Sequence, residues 1–140
     1  MTESCHLIAR RRKDEAPALA ALARVVPILA SRGHLWRPGG SVGFEIATGV
    51  ATATSSSDLD LIVWQDHRLG LDEAIDLRAV LAEAAAPARV DVLLETPLGG
   101  VSLADLAAMP ARLLVRTPDG PRLSADPWMV GARCLLEEES

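Results

Sequence analysis

The stretch SSSDLDLIVW, residues 55–64, constrains the fold more than any other. Its Leu, Ile and Val run has the length of one core strand, bounded by a polar, serine-rich segment. In a strand, side chains two apart share a face. Asp58, Asp60 and Ile62 therefore point one way, and Leu59, Leu61 and Val63 the other. The stretch RVDVLLET, residues 89–96, repeats the pattern. Arg89, Asp91, Leu93 and Glu95 share one face, opposite Val90, Val92 and Leu94. If the two strands pair side by side, Asp91 lies beside Asp58 and Asp60. Three crowded carboxylates repel one another. A divalent cation relieves that repulsion, and Mg²⁺ favours carboxylate oxygens together with substrate phosphates.

Each piece also has a plainer reading. Taken alone, DLD is a strand start with solvated acids, and RVDVLLE is an edge strand with one polar face. A third element changes the balance. PGGSVG, residues 38–43, stands upstream of the acids. Gly39 and Gly40 let backbone approach a ligand closely. Ser41 offers a hydroxyl and an N–H, and a helix starting there presents further N–H groups to phosphate. Alone, this too is only a turn.

The remaining chain supplies an α/β or α+β frame. Residues 14–33 read as a helix, with Leu19, Leu22, Val26 and Leu29 at helical spacing. Asp14 and Glu15 suit its positive end, Pro27 is a kink point, and Gly33 stops it. Residues 34–38 suggest a short strand, 39–49 a glycine turn leading into a short helix, and 50–57 a polar loop. Residues 71–88 form a second helix with Asp72 as its N-cap. Ser102 caps a short helix over 102–109. Residues 112–123 make a strand, a turn at Asp119 and Gly120, and a return strand. A last helix is expected within 125–136. The domain is assigned to 14–136, between a 1–13 tail and an acidic 137–140 tail. The expected architecture is a mixed β-sheet with helices packed mainly on one face.

Composition narrows the function classes. The 140 residues are most simply one domain. Net charge is −5, which argues against a nucleic-acid coat. No apolar run approaches the ~20 residues of a membrane span, and no signal peptide stands out. Cys5 and Cys134 have no metal-ligand spacing and read as reduced thiols of a cytoplasmic protein rather than as a disulfide. Aromatics are only 3%, so the core is built from Ala, Leu and Val.

In order and residue type, Gly40-Ser41, Asp58-Leu59-Asp60 and Val90-Asp91-Val92 resemble the nucleotidyltransferase superfamily of the DNA polymerase β type. The match covers residues 34–95, with a connector from Ser41 to Asp58 that is long for that superfamily. A narrower resemblance spans 35–128. GGSVGFEIATG, SSDLDLIV, RVDVLLETPLGGVSLADLA and LLVRTPDGPRLSADPW are similar to the phosphoribosyl-dephospho-CoA transferases, the holo-acyl-carrier-protein synthases of malonate decarboxylase. Members usually carry a further N-terminal domain, whereas here one helix precedes the Gly-Ser turn.

The resemblance implies a reaction. A serine of the malonate decarboxylase acyl-carrier subunit attacks the α-phosphorus of triphosphoribosyl-dephospho-CoA, and pyrophosphate leaves. It implies Mg²⁺ or Mn²⁺ held by Asp58, Asp60 and Asp91, the three catalytic residues, with Asp91 also a candidate acceptor of the serine proton. Gly40 and Ser41 would grip the β- and γ-phosphates. Arg89 is a candidate substrate contact, with a plain surface role as the alternative. Glu45 reads as an exposed helix acid, its other reading being a supporting role behind the site. Glu95 is too far along its strand to be a ligand. Arg112, Arg116 and Arg122 face the carrier or solvent. Trp36, Trp64 and Trp128 are packing residues; His6, His34 and His67 form no cluster. Two rivals stand: a minimal nucleotidyltransferase acting on another protein or a small molecule, and a truncated non-catalytic carrier-binding remnant.

Overall fold

A computed structural model describes residues 15–108 and 112–128. The tails, Asp14, Cys5, Cys134, His6 and residues 129–136 of the last expected helix lie outside the described residues, and residues 125–128 are not helical. The elements run α1 (Pro17–Ser31), β1 (Leu35–Gly39), α2 (Gly40–Thr48), β2 (Leu59–Trp64), α3 (Leu71–Ala85) and β3 (Val90–Glu95). They continue with β4 (Gly100–Ser102), α4 (Leu103–Ala107), β5 (Leu113–Thr117) and β6 (Gly120–Ser124). The six strands lie in chain order in one sheet. Only β2 and β3 pair in parallel, joined by the α3 crossover; every other neighbour is antiparallel.

The alternation seen in the sequence decides how the sheet is covered. Leu59, Leu61 and Val63 of β2 and Leu94 of β3 are buried in one core. Leu19, Leu22 and Leu29 of α1 and Leu77 and Leu81 of α3 join it. Helices therefore pack on that face, as expected. The opposite face carries Arg37, Asp60, Asp91, Leu93 and Arg116, as strand register and parity require. A smaller cluster of Val101, Leu113 and Val115 fills the sheet beyond β4.

Helix ends match the expectations in part. At the end of α1, Gly33 takes φ +72°. His34 N–H donates to Leu29 O at 3.1 Å and Gly33 N–H to Ala30 O at 3.1 Å, the paired bonds of a Schellman stop. Pro27 sits within α1, which continues past it. The first turn of α1 holds no acid, because Glu15 precedes the Ala16 cap. Ser102 caps α4 as expected, accepting from Asp105 N–H at 3.4 Å. Asp72 is not the N-cap of α3: Gly70 holds that position in extended backbone. Asp72 and Glu73 lie inside the first turn, where their charge meets the positive helix end. Among the described residues no helix is long and apolar enough to cross a membrane.

One side chain joins the two long helices. The last carbonyls of a helix have no partners inside it. Arg24 of α1 donates to Ala84 O at 2.6 Å and to Ala85 O and Ala86 O, each at 3.1 Å. Arg24→Ala should lower stability by about 1–2 kcal/mol, the bonds being partly exposed. Arg24→Lys should recover only part, since one ammonium cannot span three carbonyls as a guanidinium does. A urea midpoint equal to wild type in Arg24→Ala would contradict this.

Candidate active site

Strand register builds the site. Asp60 and Asp91 are direct Cα partners in the parallel β2–β3 pair. Gly39 is the partner of Asp60 in the antiparallel β1–β2 pair. Side chains at paired positions share a face, so Asp60 and Asp91 stand side by side on the face away from the helices. Leu59 N–H donates to Arg89 O at 2.8 Å. That bond holds residues 58 and 89 at the same sheet end as the two acids. Asp58 is half-buried and Asp91 exposed.

The electrostatics agree with this convergence. Burial pushes the Asp60 carboxyl above its usual range, and the neighbouring charges of Asp91 and then Asp58 push it the same way. Gly40 crowds the same carboxylate. A Cβ at residue 40 would overlap Asp60 Oδ2, and the residue takes φ +58°. Both conditions demand glycine. The backbone turns from β1 into α2 at this point, with no side chain capping the helix start. The N–H groups of the first turn of α2 therefore open beside the acids.

The long connector is anchored at both ends. Ser41 Oγ donates to Ser57 Oγ at 3.1 Å, and Ser57 Oγ accepts from Thr54 N–H at 2.9 Å. Ser41 is thus tied to the residue preceding Asp58. Glu45 corrects an expectation: it is only 1% exposed. Its Oε1 accepts from Thr52 N–H at 2.8 Å and Ala53 N–H at 3.0 Å. The long connector brings backbone donors that need an acceptor, and Glu45 supplies it. The sequence signal for this was its place one turn beyond Ser41, facing the same loop.

Other candidates separate cleanly. Arg89 lines the cavity that holds Gly40, Asp60 and Asp91. So does Arg116, expected only to face the carrier or solvent, and so do Ser102, expected only as a helix cap, and Arg78, which had no expected role. Glu95 lies four residues beyond Asp91, about 13 Å along the strand. Arg112 is exposed, and Arg122 pairs with Val115, which puts it on the helix side of the sheet. Trp36 and Trp128 pack against the core. Trp128 Nε1 donates to Gln65 O at 2.9 Å. Arg37 lies over the Trp64 ring, 5.9 Å from its centroid. His34 is half-buried, and burial followed by Arg32 lowers its pKa. Among the described residues, no three His, Cys, Asp or Glu side chains are already gathered as a cation cage. The pull toward a cation lies in the repulsion around Asp60.

Known proteins show the same likeness. Residues 6–127 match the family described as phosphoribosyl-dephospho-CoA transferase MdcG C-terminal domain. A phosphoribosyl-dephospho-CoA transferase of Pseudomonas putida is 45% identical over 117 residues, covering 84% of this chain and 56% of that protein. Proteins of the same name from Pseudomonas syringae pv. tomato and Azotobacter vinelandii are 41% and 39% identical over 84% of this chain, covering 55% and 56% of their own lengths. The chain spans about half the length of the curated relatives it matches. No solved structure gives a significant match.

Two outcomes follow from this geometry. The carboxyl of Asp60 has a raised pKa in the folded state, so its protonated form is stabilised by folding. That contribution is full below the ordinary aspartate range and is lost as pH rises through the folded value. In metal-free buffer, Asp60→Asn should melt higher than wild type at pH 7 and equally below about pH 4. Equal melting at pH 7 would show that neither burial nor the neighbouring acids burden Asp60. Gly33 provides a control for residue 40, having positive φ but open space around a Cβ. Gly33→Ala and Gly40→Ala should each lose about 1–2 kcal/mol. Gly40→Ala alone should displace Asp60, seen as a return of its carboxyl titration toward the ordinary range by NMR.

Proposed function

Because the chain belongs to the phosphoribosyl-dephospho-CoA transferase MdcG C-terminal domain family, we propose that it transfers the 2′-(5″-phosphoribosyl)-3′-dephospho-CoA group. The donor is the triphosphoribosyl form, and the acceptor is a serine of the malonate decarboxylase acyl-carrier subunit. The observation that carries this reading is the register Asp60–Asp91 beside the glycine turn at Gly40. Asp60, pushed up first by burial and then by the charges of Asp91 and Asp58, stands among hard carboxylate oxygens of the kind that suit Mg²⁺ or Mn²⁺. Asp58, Asp60 and Asp91 would hold the cation, whose chemistry there would be to neutralise phosphate charge.

The chain's own residues do the rest by position and charge. The first-turn N–H groups of α2 after Gly40 meet the β- and γ-phosphates. Ser41, held by Ser57, fixes that turn against the strand bearing the acids. The serine Oγ attacks the α-phosphorus, and a new O–P bond forms. The bond from the α-phosphorus to the bridging oxygen breaks, and pyrophosphate departs with the electron pair. Asp91, exposed on the neighbouring strand, accepts the serine proton. The product is a phosphodiester on the carrier.

Mass spectrometry of the carrier subunit, incubated with the protein, Mg²⁺ and the donor, tests this. The expected gain is the phosphoribosyl-dephospho-CoA group. Asp60→Ala should cut transfer by at least about 10³-fold, a loss typical of removing charge stabilisation at the reacting group, while keeping the wild-type circular dichroism spectrum. Supplied with ATP as well, the enzyme should still add the larger group. A gain equal to AMP, or labelling that survives replacement of the carrier serine, assigns the chain to a general nucleotidyltransferase instead.

A further inference from the structure

Strand β3 has an open edge. The carbonyls of Arg89 and Glu95 accept from Leu59 and Gln65, so odd-numbered residues turn their backbone groups toward β2. Thr96 exchanges both backbone bonds with Gly99, so even-numbered residues turn theirs toward β4. Yet β4 runs only Gly100–Ser102 and pairs with Leu93, Leu94 and Glu95. Val90 and Val92 thus aim their N–H and C=O groups at an edge that no described strand covers. The two sets lie about 6.6–7 Å apart.

The cavity at the carboxylates passes along this edge. Its volume is ≈ 1010 Å³, at the upper end for a small-molecule site and more than a triphosphate alone would fill. Beyond Asp91 it is bounded by Val90 and Val92, by Ala79 and Ala82 of α3, and by Leu103 and Ala104 of α4. Small side chains on both helices leave a slot with apolar walls and a strip of open peptide groups. Arg78 of α3 also lines it.

We propose that this slot takes the pantetheine arm of the donor, while its triphosphate end lies at Gly40 and the acids. The inference rests on the donor assigned above. A pantetheine arm is extended and mostly apolar, and carries two secondary amides, each able to donate and to accept one hydrogen bond. That is the pattern an open strand edge accepts. The diphosphate at the head of the arm is a match for the Arg78 guanidinium.

ADP has the adenosine and diphosphate of dephospho-CoA but no pantetheine, so calorimetric titration of the chain with each compound isolates the arm. Dephospho-CoA should bind at least about tenfold more tightly than ADP, about 1.4 kcal/mol. Ala79 and Ala104 are exposed positions on opposite walls. Ala79→Phe and Ala104→Phe should each bring dephospho-CoA down to the affinity of ADP and leave ADP itself within about twofold. Equal affinities in the wild type, or an advantage that survives both substitutions, overturns the proposal. The donor assignment is judged separately by product mass. Transfer of the full group without an arm advantage would retire only the slot, and an AMP product with the advantage intact would retire only the donor.

Discussion

The parallel pairing of β2 with β3 is the constraint on which the rest depends. Its register sets Asp60 opposite Asp91, and side chains alternate with a period of two. A slip of one residue would turn Asp91 into the helix-covered core and bring Val92 to the open face. The register is secured from the apolar side. Leu59, Leu61, Val63 and Leu94 are buried under α1 and α3, and a slip of one residue cannot keep all four there. Each fully buried leucine or valine contributes about 1.5–3 kcal/mol relative to exposure. Burial of that size outweighs the repulsion among the acids, which face partial solvent. The core thus supports an electrostatic arrangement that would not persist by itself.

The second requirement is that Gly40 and Asp58 meet although a long connector separates them. Two polar side chains of α2 secure it. Glu45 is buried with its Oε1 on the N–H groups of Thr52 and Ala53, and Ser41 reaches Ser57 at the far end. A buried carboxylate bound to backbone donors avoids much of the desolvation cost of an unpaired charge. The turn that would face phosphate and the strand that carries the acids are therefore joined through the loop as well as through the sheet.

Much of this was legible from alternation. DLDLIVW and RVDVLLET each carry a clean period of two, and each proved to be a strand with the expected faces. The Gly-Gly-Ser turn proved to be the start of α2, because Gly40 alone tolerates both the positive φ and the nearby carboxylate. Strand β4 was not legible. Three residues, Gly100 to Ser102, give no periodicity, and their pairing depends on β3 and β5 arriving from elsewhere in the chain. Glu45 was read first as an exposed acid: its place one turn beyond Ser41 hinted at a supporting role, but its partners, the N–H groups of Thr52 and Ala53, come from a loop whose path the sequence does not reveal. At α3, the acid at Asp72 suggested a cap, but extended backbone at Gly70 starts the helix earlier. Local pattern identified the elements; long-range backbone bonds decided how they join.

Charge in the cavity has an arrangement of its own. Arg78, Arg89 and Arg116 line it together with Asp60 and Asp91, yet among the described residues none of the three arginines forms an ion pair with either acid. The ion pairs of Arg32 with Asp76 and of Arg68 with Asp126 involve other residues. An arginine salt-bridged to Asp60 would lower its pKa and satisfy its charge; the carboxyl is instead pushed up by burial and by other acids. Arg89 stands two residues from Asp91 on one strand face, while Arg78 stands on α3 and Arg116 on β5, so groups able to meet an anion occur on several walls of the cavity. A triphosphate bearing its cation would meet the acids and the α2 N-terminus, and a remote diphosphate would meet an arginine. A simple nucleoside triphosphate has only the first of these. Under the proposed function, the arginines of the cavity are where the larger donor would differ in its contacts from a simple nucleoside triphosphate.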